Sequence, residues 1–128
     1  MFFKKEDGQA MVEFALVLPI LLLFLCGIID FGWVFGNQLA ANNATREATR
    51  YEVVNYNAAT ADTDVTTKIT EQLPSGIFSG IAVDVTQSGE EINVVFNGDI
   101  KILTPFLSTL RGGATTYTVQ SDCTMRVE

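Results

Sequence analysis

The chain has 128 residues, a formal charge of −7 and no histidine. An acidic balance argues against nucleic acid as a partner, and the lack of imidazole removes the usual general base and metal ligand. No catalytic residue, metal site or cofactor is therefore expected, and the length leaves room for one small domain.

Met1–Gly8 reads MFFKKEDG, with Lys4 and Lys5 balanced by Glu6 and Asp7. Orientation in a membrane follows Lys and Arg rather than net charge. The next basic residue beyond the apolar run is Arg46, so the N-terminus is expected on the cytoplasmic side. From Phe14 to Ile29 there are sixteen uncharged residues, FALVLPILLLFLCGII. As a helix they rise about 24 Å, short of the ~30 Å hydrocarbon core. Ala10–Val12 before the run and Phe31–Phe35 after it make up the length.

The possible processing sites differ in chemistry. A conventional signal peptidase requires small residues after the apolar core, and Leu25-Cys26-Gly27-Ile28 offers neither that bond nor a lipoprotein site. A cut before the apolar segment falls at Gly8–Gln9, where a glycine suits a bond that must enter a protease cleft extended. The same residues also fit an uncut anchor with a linker glycine. Glu13 sits at the lip of the run, where an ionisable group is costly and usually kept for a reason. Gln9 and Glu13 are four apart and share a helix face. A new amine at Gln9 would thus reach Glu13 within one chain or across to a neighbour. Alternatively, Glu13 only marks the headgroup level.

Pro19 predicts a bend or local break in the span. Trp33 suits an aromatic belt, and Gly32-x-x-x-Gly36 has the spacing for close helix packing or for flexibility at the membrane exit. Beyond it, Ala40, Ala44, Ala48 and Tyr51 lie on one helical face. One helix is expected over about 11–56, with a weak point near Gly32–Asn37. Its small-residue stripe can pack on its own domain or on a neighbouring subunit.

Ala58–Asp64 reads as a linker, with Asp64 capping a short helix over Val65–Leu73 that ends at Pro74-Ser75-Gly76. Ile81, Val83 and Val85, then Ile92, Val94 and Phe96, alternate as a hairpin whose loop covers Gln87–Glu91. Ile100–Leu110 predicts an apolar crossover with a short helix from about Thr104. Thr115–Val127 is a strand with Tyr117, Val119, Ser121, Cys123, Met125 and Val127 on one face. Cys26 lies in the span, so the exported part holds one thiol, Cys123, and no internal disulfide. The class is α+β: a long N-terminal transmembrane helix, then a small domain with an antiparallel sheet of about three strands and one or two short helices. The divisions are 1–8 as leader, 9–57 as span and extension, and 58–128 as the domain. Past Gly36, six Lys/Arg face eleven Asp/Glu, which argues against docking on anionic lipid through that part.

GQAMVEF at Gly8–Phe14, the apolar run after it, the REATRY segment, a late Leu-Thr-Pro-Phe-Leu and the closing CTMRVE resemble the TadE-like family. The Glu13-Phe14 pair is similar to the Glu-aromatic pair of tight-adherence (Tad) pilins. The resemblance implies a minor pilin, or pseudopilin, of a Tad (type IVc) pilus and not an enzyme. It implies a cut at Gly8–Gln9 by a prepilin peptidase and a role for Glu13 and Phe14 in assembly. The implied location is the bacterial inner membrane, single-pass, with the C-terminal domain periplasmic or carried out on a pilus. The implied partners are other pilins and pseudopilins, the peptidase, the inner-membrane assembly platform and membrane lipid. An uncleaved single-pass anchor carrying a protein-binding module is the alternative.

Overall fold

A computed structural model describes residues 3–55 and 59–127, with the backbone alone for 3–7. The helix end expected at residue 56 and the linker start at Ala58 fall outside the described residues, as do Met1, Phe2 and Glu128.

Helix α1 runs without interruption over Phe3–Asn55, 53 residues or about 80 Å. It passes through Pro19, so the break expected there does not occur. Proline removes one donor from the ladder, and a long apolar helix absorbs that loss locally. The weak point expected at Gly32–Asn37 is likewise absent, because tertiary contacts hold the helix there. Trp33 Nε1–H donates to Lys101 O at 3.1 Å, and within the helix Asn37 Nδ2 donates to Trp33 O at 2.8 Å. Gln38 Nε2 donates to Gln120 O at 2.7 Å.

Three strands, β1 (Phe78–Ser88), β2 (Glu91–Lys101) and β3 (Thr116–Arg126), form an antiparallel sheet in the order β1-β2-β3. The hairpin loop is shorter than expected: Ser88 pairs with Glu91, leaving Gly89-Glu90 as the turn. Gly89 has φ +64 and Glu90 does not share the positive sign, the pattern of a type II′ turn that matches strand twist. Polar Gln87 and Ser88 read as loop in the sequence, yet they continue the ladder on an edge strand where both faces tolerate polarity. β1 bulges between Ser79 and Ala82, at Gly80 with φ +60.

The core lies between one sheet face and two helices. β2 contributes Ile92, Val94, Phe96 and Ile100, and β3 contributes Val119. Gly98 makes room for the edge-to-face pair Phe78–Phe96, with centroids 5.9 Å apart. A Cβ on Gly98 would lie 2.8 Å from Phe96 Cζ. The small-residue stripe of α1 packs on this sheet, and its buried face comprises Asn37, Ala41, Ala44, Thr45, Ala48, Thr49 and Glu52. That is rotated from the expected Ala40–Tyr51 stripe, since Tyr51 is 41% exposed and Ala40 half-buried. Threonine is small enough to join the alanines because its hydroxyl satisfies itself locally. Thr45 donates to Ala41 O at 2.8 Å and Thr49 to Thr45 O at 2.7 Å.

Helix α2 spans Ala61–Gln72 and buries Ala61, Val65 and Ile69, with Leu73 buried just beyond. It starts four residues before the expected Val65, so Asp64 is not its cap and half of the expected linker is helical. Asp62 and Asp64 lie in the first turn, where negative charge complements unpaired N–H groups. Thr60 Oγ1–H donates to Asp64 Oδ2 at 2.7 Å, and Asp62 Oδ1 accepts from Val85 N at 3.1 Å. Helix α3 spans Pro105–Leu110, with Thr104 at its N-cap and proline in its first turn, as the crossover reading anticipated.

This register yields a paired prediction. Val119 is fully buried and Gln120, one residue along, is exposed. Val119→Asp buries an uncompensated charge at about 3–5 kcal/mol, a large share of the ~5–15 kcal/mol that holds an ordinary domain folded. Gln120→Asp should stay within about 0.5 kcal/mol of wild type. Urea unfolding of the full chain in detergent, followed by circular dichroism, checks this; the reverse order would mean that β3 is displaced by one residue.

Candidate functional site

The head of α1 is bare. From Gly8 to Leu25 every residue is exposed. The Gly8–Gln9 bond lies inside the helix, and nothing stands within 4 Å of where a Gly8 Cβ would be. Gln9 Nε2 donates to Glu13 Oε1 at 3.2 Å, so these two share a face and meet. Phe14 is 65% exposed. Gly32 and Gly36 also have nothing within 4 Å, so they are not used for packing on the chain's own domain. Of the residues singled out from sequence, then, the structure joins Gln9 to Glu13. It leaves Gly8, Phe14, Gly32 and Gly36 on open surface.

The glycine that does permit close approach is Gly27, which sequence reasoning passed over. A Cβ there would lie 3.2 Å from Phe106 Cε1 on α3. One turn further, Asp30 is buried at 1% exposure and caps α3 from outside. Its Oδ1 accepts from Thr104 N at 2.9 Å, and its Oδ2 accepts from the Thr104 hydroxyl and from Leu107 N at 3.3 Å. Thr104 sits in the N-cap position with extended backbone, but its side chain makes no cap bond of its own. Pro105 has no N–H to satisfy, so one carboxylate serves most of the orphan donors of this short helix. At the other end, Arg111 N–H donates to Leu107 O at 3.1 Å and Gly113 N–H to Ser108 O at 2.7 Å. Gly112 and Gly113 turn the chain at φ +71 and +92. The Arg111 guanidinium stacks 5.0 Å above the Tyr117 ring.

A usable signal for Asp30 was present in the sequence. A lone acid at the end of an apolar run demands donors, and a Thr-Pro pair entering a short helix has donors to offer. Cys26 and Cys123 are both half-buried free thiols. Among the described residues, no group of three or more His, Cys, Asp or Glu is placed to hold a metal ion.

A family model described as TadE-like protein matches residues 8–50. Over this segment, about a third of its length, the chain is similar to that family. The match takes in Gly8, Gln9, Glu13, Phe14, Asp30, Gly32 and Gly36 and stops within α1. Comparison with curated proteins and with solved structures returned no match. Among the described residues, α1 is the one helix long and apolar enough to cross a membrane, consistent with a single-pass anchor.

The Asp30 cap sets an expected outcome for the chain. Asp30→Ala leaves the N–H groups of Thr104 and Leu107 without an acceptor, at about 1–3 kcal/mol each. Hydrogen exchange over residues 102–110, read by mass spectrometry, should accelerate roughly tenfold or more, since each ~1.4 kcal/mol is a factor of ten in opening. Asp30→Asn keeps an acceptor oxygen and should accelerate exchange less, with residues 92–98 unchanged in both. Equal exchange over 102–110 in all three proteins would contradict the cap.

Proposed function

We propose that the protein is a minor pilin (pseudopilin) of a Tad (type IVc) pilus and that its role is structural. In this reading α1 holds it in the bacterial inner membrane, with the N-terminus cytoplasmic and the C-terminal domain periplasmic. A prepilin peptidase cuts Gly8–Gln9, and the bare half of the helix then packs with the helices of other pilins on the assembly platform. The observation that carries this reading is the exposure of Gly8–Leu25 on the same helix whose C-terminal half is buried in its own sheet. Apolar surface contributes roughly 25 cal/mol per Å² when removed from water. A run this long therefore calls for cover, first by lipid and then by neighbouring helices.

The head residues fit the two steps. The peptidase needs an extended bond, so the first turns of α1 must unwind around Gly8. Glycine inside a helix makes that easier by about 1 kcal/mol relative to alanine. The cut leaves an α-amine on Gln9, whose ordinary pKa of about 7.7–8.0 keeps much of it charged near neutral pH. The Gln9 side-chain amide already reaches Glu13, and the new amine would form on the same helix face, where it can pair with Glu13 of its own chain or of the next. An unpaired carboxylate in apolar surroundings costs several kcal/mol and a paired one less. Glu13 thereby sets the depth at which a helix joins its neighbours.

The test is the mass of the N-terminal peptide from membranes containing the cognate peptidase. Wild type should begin at Gln9, while Gly8→Leu should retain residues 1–8. Glu13→Gln should be cut and inserted at wild-type level yet fail to co-purify partner pilins. A wild-type chain left uncut beside an active peptidase would contradict the proposal and favour an uncleaved anchor with a protein-binding domain. Normal piliation with Glu13→Gln would remove the pairing role alone.

A further inference from the structure

The position of α3 along α1 bears on where the bilayer lies. α3 packs on α1 at Gly27, where Phe106 sits, and Leu23 and Cys26 line the same apolar groove as Pro105, Phe106 and Leu110. Below that contact the uncharged helix offers only Phe14–Leu22, because Glu13 closes it on the other side. Those nine residues rise about 14 Å, half of the ~30 Å hydrocarbon core. Counted from Phe14 the helix reaches the full thickness near Trp33, nineteen steps and about 29 Å away; counted from Ala10 it does so near Ile29, still above Gly27. Phe106, seated on Gly27, is then some 9 Å below the Trp33 level, inside the acyl-chain region.

The composition of the segment agrees with this depth. Residues 102–110 read ILTPFLSTL, without a charge, and are bracketed by Lys101 and Arg111. Leu103 and Leu110 are 54% and 70% exposed, and Phe106 lines a groove with exposed Phe24, Ile28 and Phe31 on α1. The polar groups that would resist burial in hydrocarbon, the N–H groups at the start of α3, are already taken by Asp30. Lys101 and Arg111 are exposed, and their long stems can carry the charges up to phosphate level. The domain is acidic as a whole, but its collar at the helix exit is basic and apolar.

We propose that α3 is embedded in the bilayer beside α1, with Leu103, Phe106 and Leu110 against phospholipid acyl chains of the leaflet nearer the sheet. This rests on α1 spanning the membrane, and the experiment separates the two claims. Trp33 is the single tryptophan, so a Trp33→Phe background accepts one reporter at a time. The full chain carrying Leu21→Trp, Leu103→Trp, Leu110→Trp or Gln120→Trp is reconstituted into phosphatidylcholine bilayers with or without bromines on the acyl chains. Circular dichroism verifies that each variant keeps its sheet, and Leu103 and Leu110 provide independent reporters on the same segment.

The tryptophans at positions 21, 103 and 110 should lose most of their emission to bromine, whereas the one at 120 should keep it. Quenching at position 21 without quenching at 103 or 110 would overturn the placement of α3 and leave the span intact. Absence of quenching at position 21 would overturn the span and the proposal with it.

Discussion

The Asp30 carboxylate, buried at 1% exposure, is bonded to a segment 74 residues away in sequence. A buried charge is costly unless its lone pairs are met. Here they are met by donors that would themselves be orphans at the start of α3. Each side removes the other's penalty, so the two elements are stable together and neither is stable in that position alone. The same contact fixes Phe106 on Gly27, and Trp33 fastens the chain just before α3 through Lys101 O. The α3 end of the domain is thereby joined to the helix at three successive turns.

Along α1 the surface changes character while the helix itself does not. Residues 8–25 are bare. Residues 27–33 hold the collar formed by α3 and the chain leading into it. From Asn37 to Glu52 one face is buried, and small side chains bring the helix close to the sheet. Intrinsic propensity alone would have let the helix weaken at Gly32 and Gly36. Tertiary contacts on the opposite faces keep it continuous, as is usual for helices whose stability comes from packing. The proposed pilin role would use this continuity, because a helix unbroken from its bare half to the sheet would carry contacts made at one end to the other.

The legible parts of the fold were those where one rule governed alone. β2 and β3 alternate strictly because one face is buried, and their inward residues were identified correctly from Ile92 to Phe96 and from Tyr117 to Val127. Pro105 marked the start of α3 because proline fits a first turn and no later position. Where two signals competed, the local one misled. Polar residues concealed the end of β1 and the first turn of α2, since strand edges and helix starts are polar for different reasons. Gly32 and Gly36 stood out by spacing, but Gly27 was the one with a ring against it. Asp30 depended on a partner far along the chain: the lone acid and the Thr-Pro pair each signalled an unmet need, but no local pattern joins the two. In the candidate site, the Gln9–Glu13 meeting followed from helix geometry alone.

The claim that ties these observations together is that anchor and domain are one rigid body joined at Asp30. The most direct measurement is a distance distribution by pulsed electron paramagnetic resonance between spin labels at Leu16 and Gln120. The full chain, with Cys26 and Cys123 replaced by alanine, would be placed in lipid nanodiscs. A single narrow distribution is expected with Asp30 present, broadening when Asp30→Ala releases α3. A broad distribution in the presence of Asp30, of the kind a hinge at Gly32–Asn37 would give, would contradict the account.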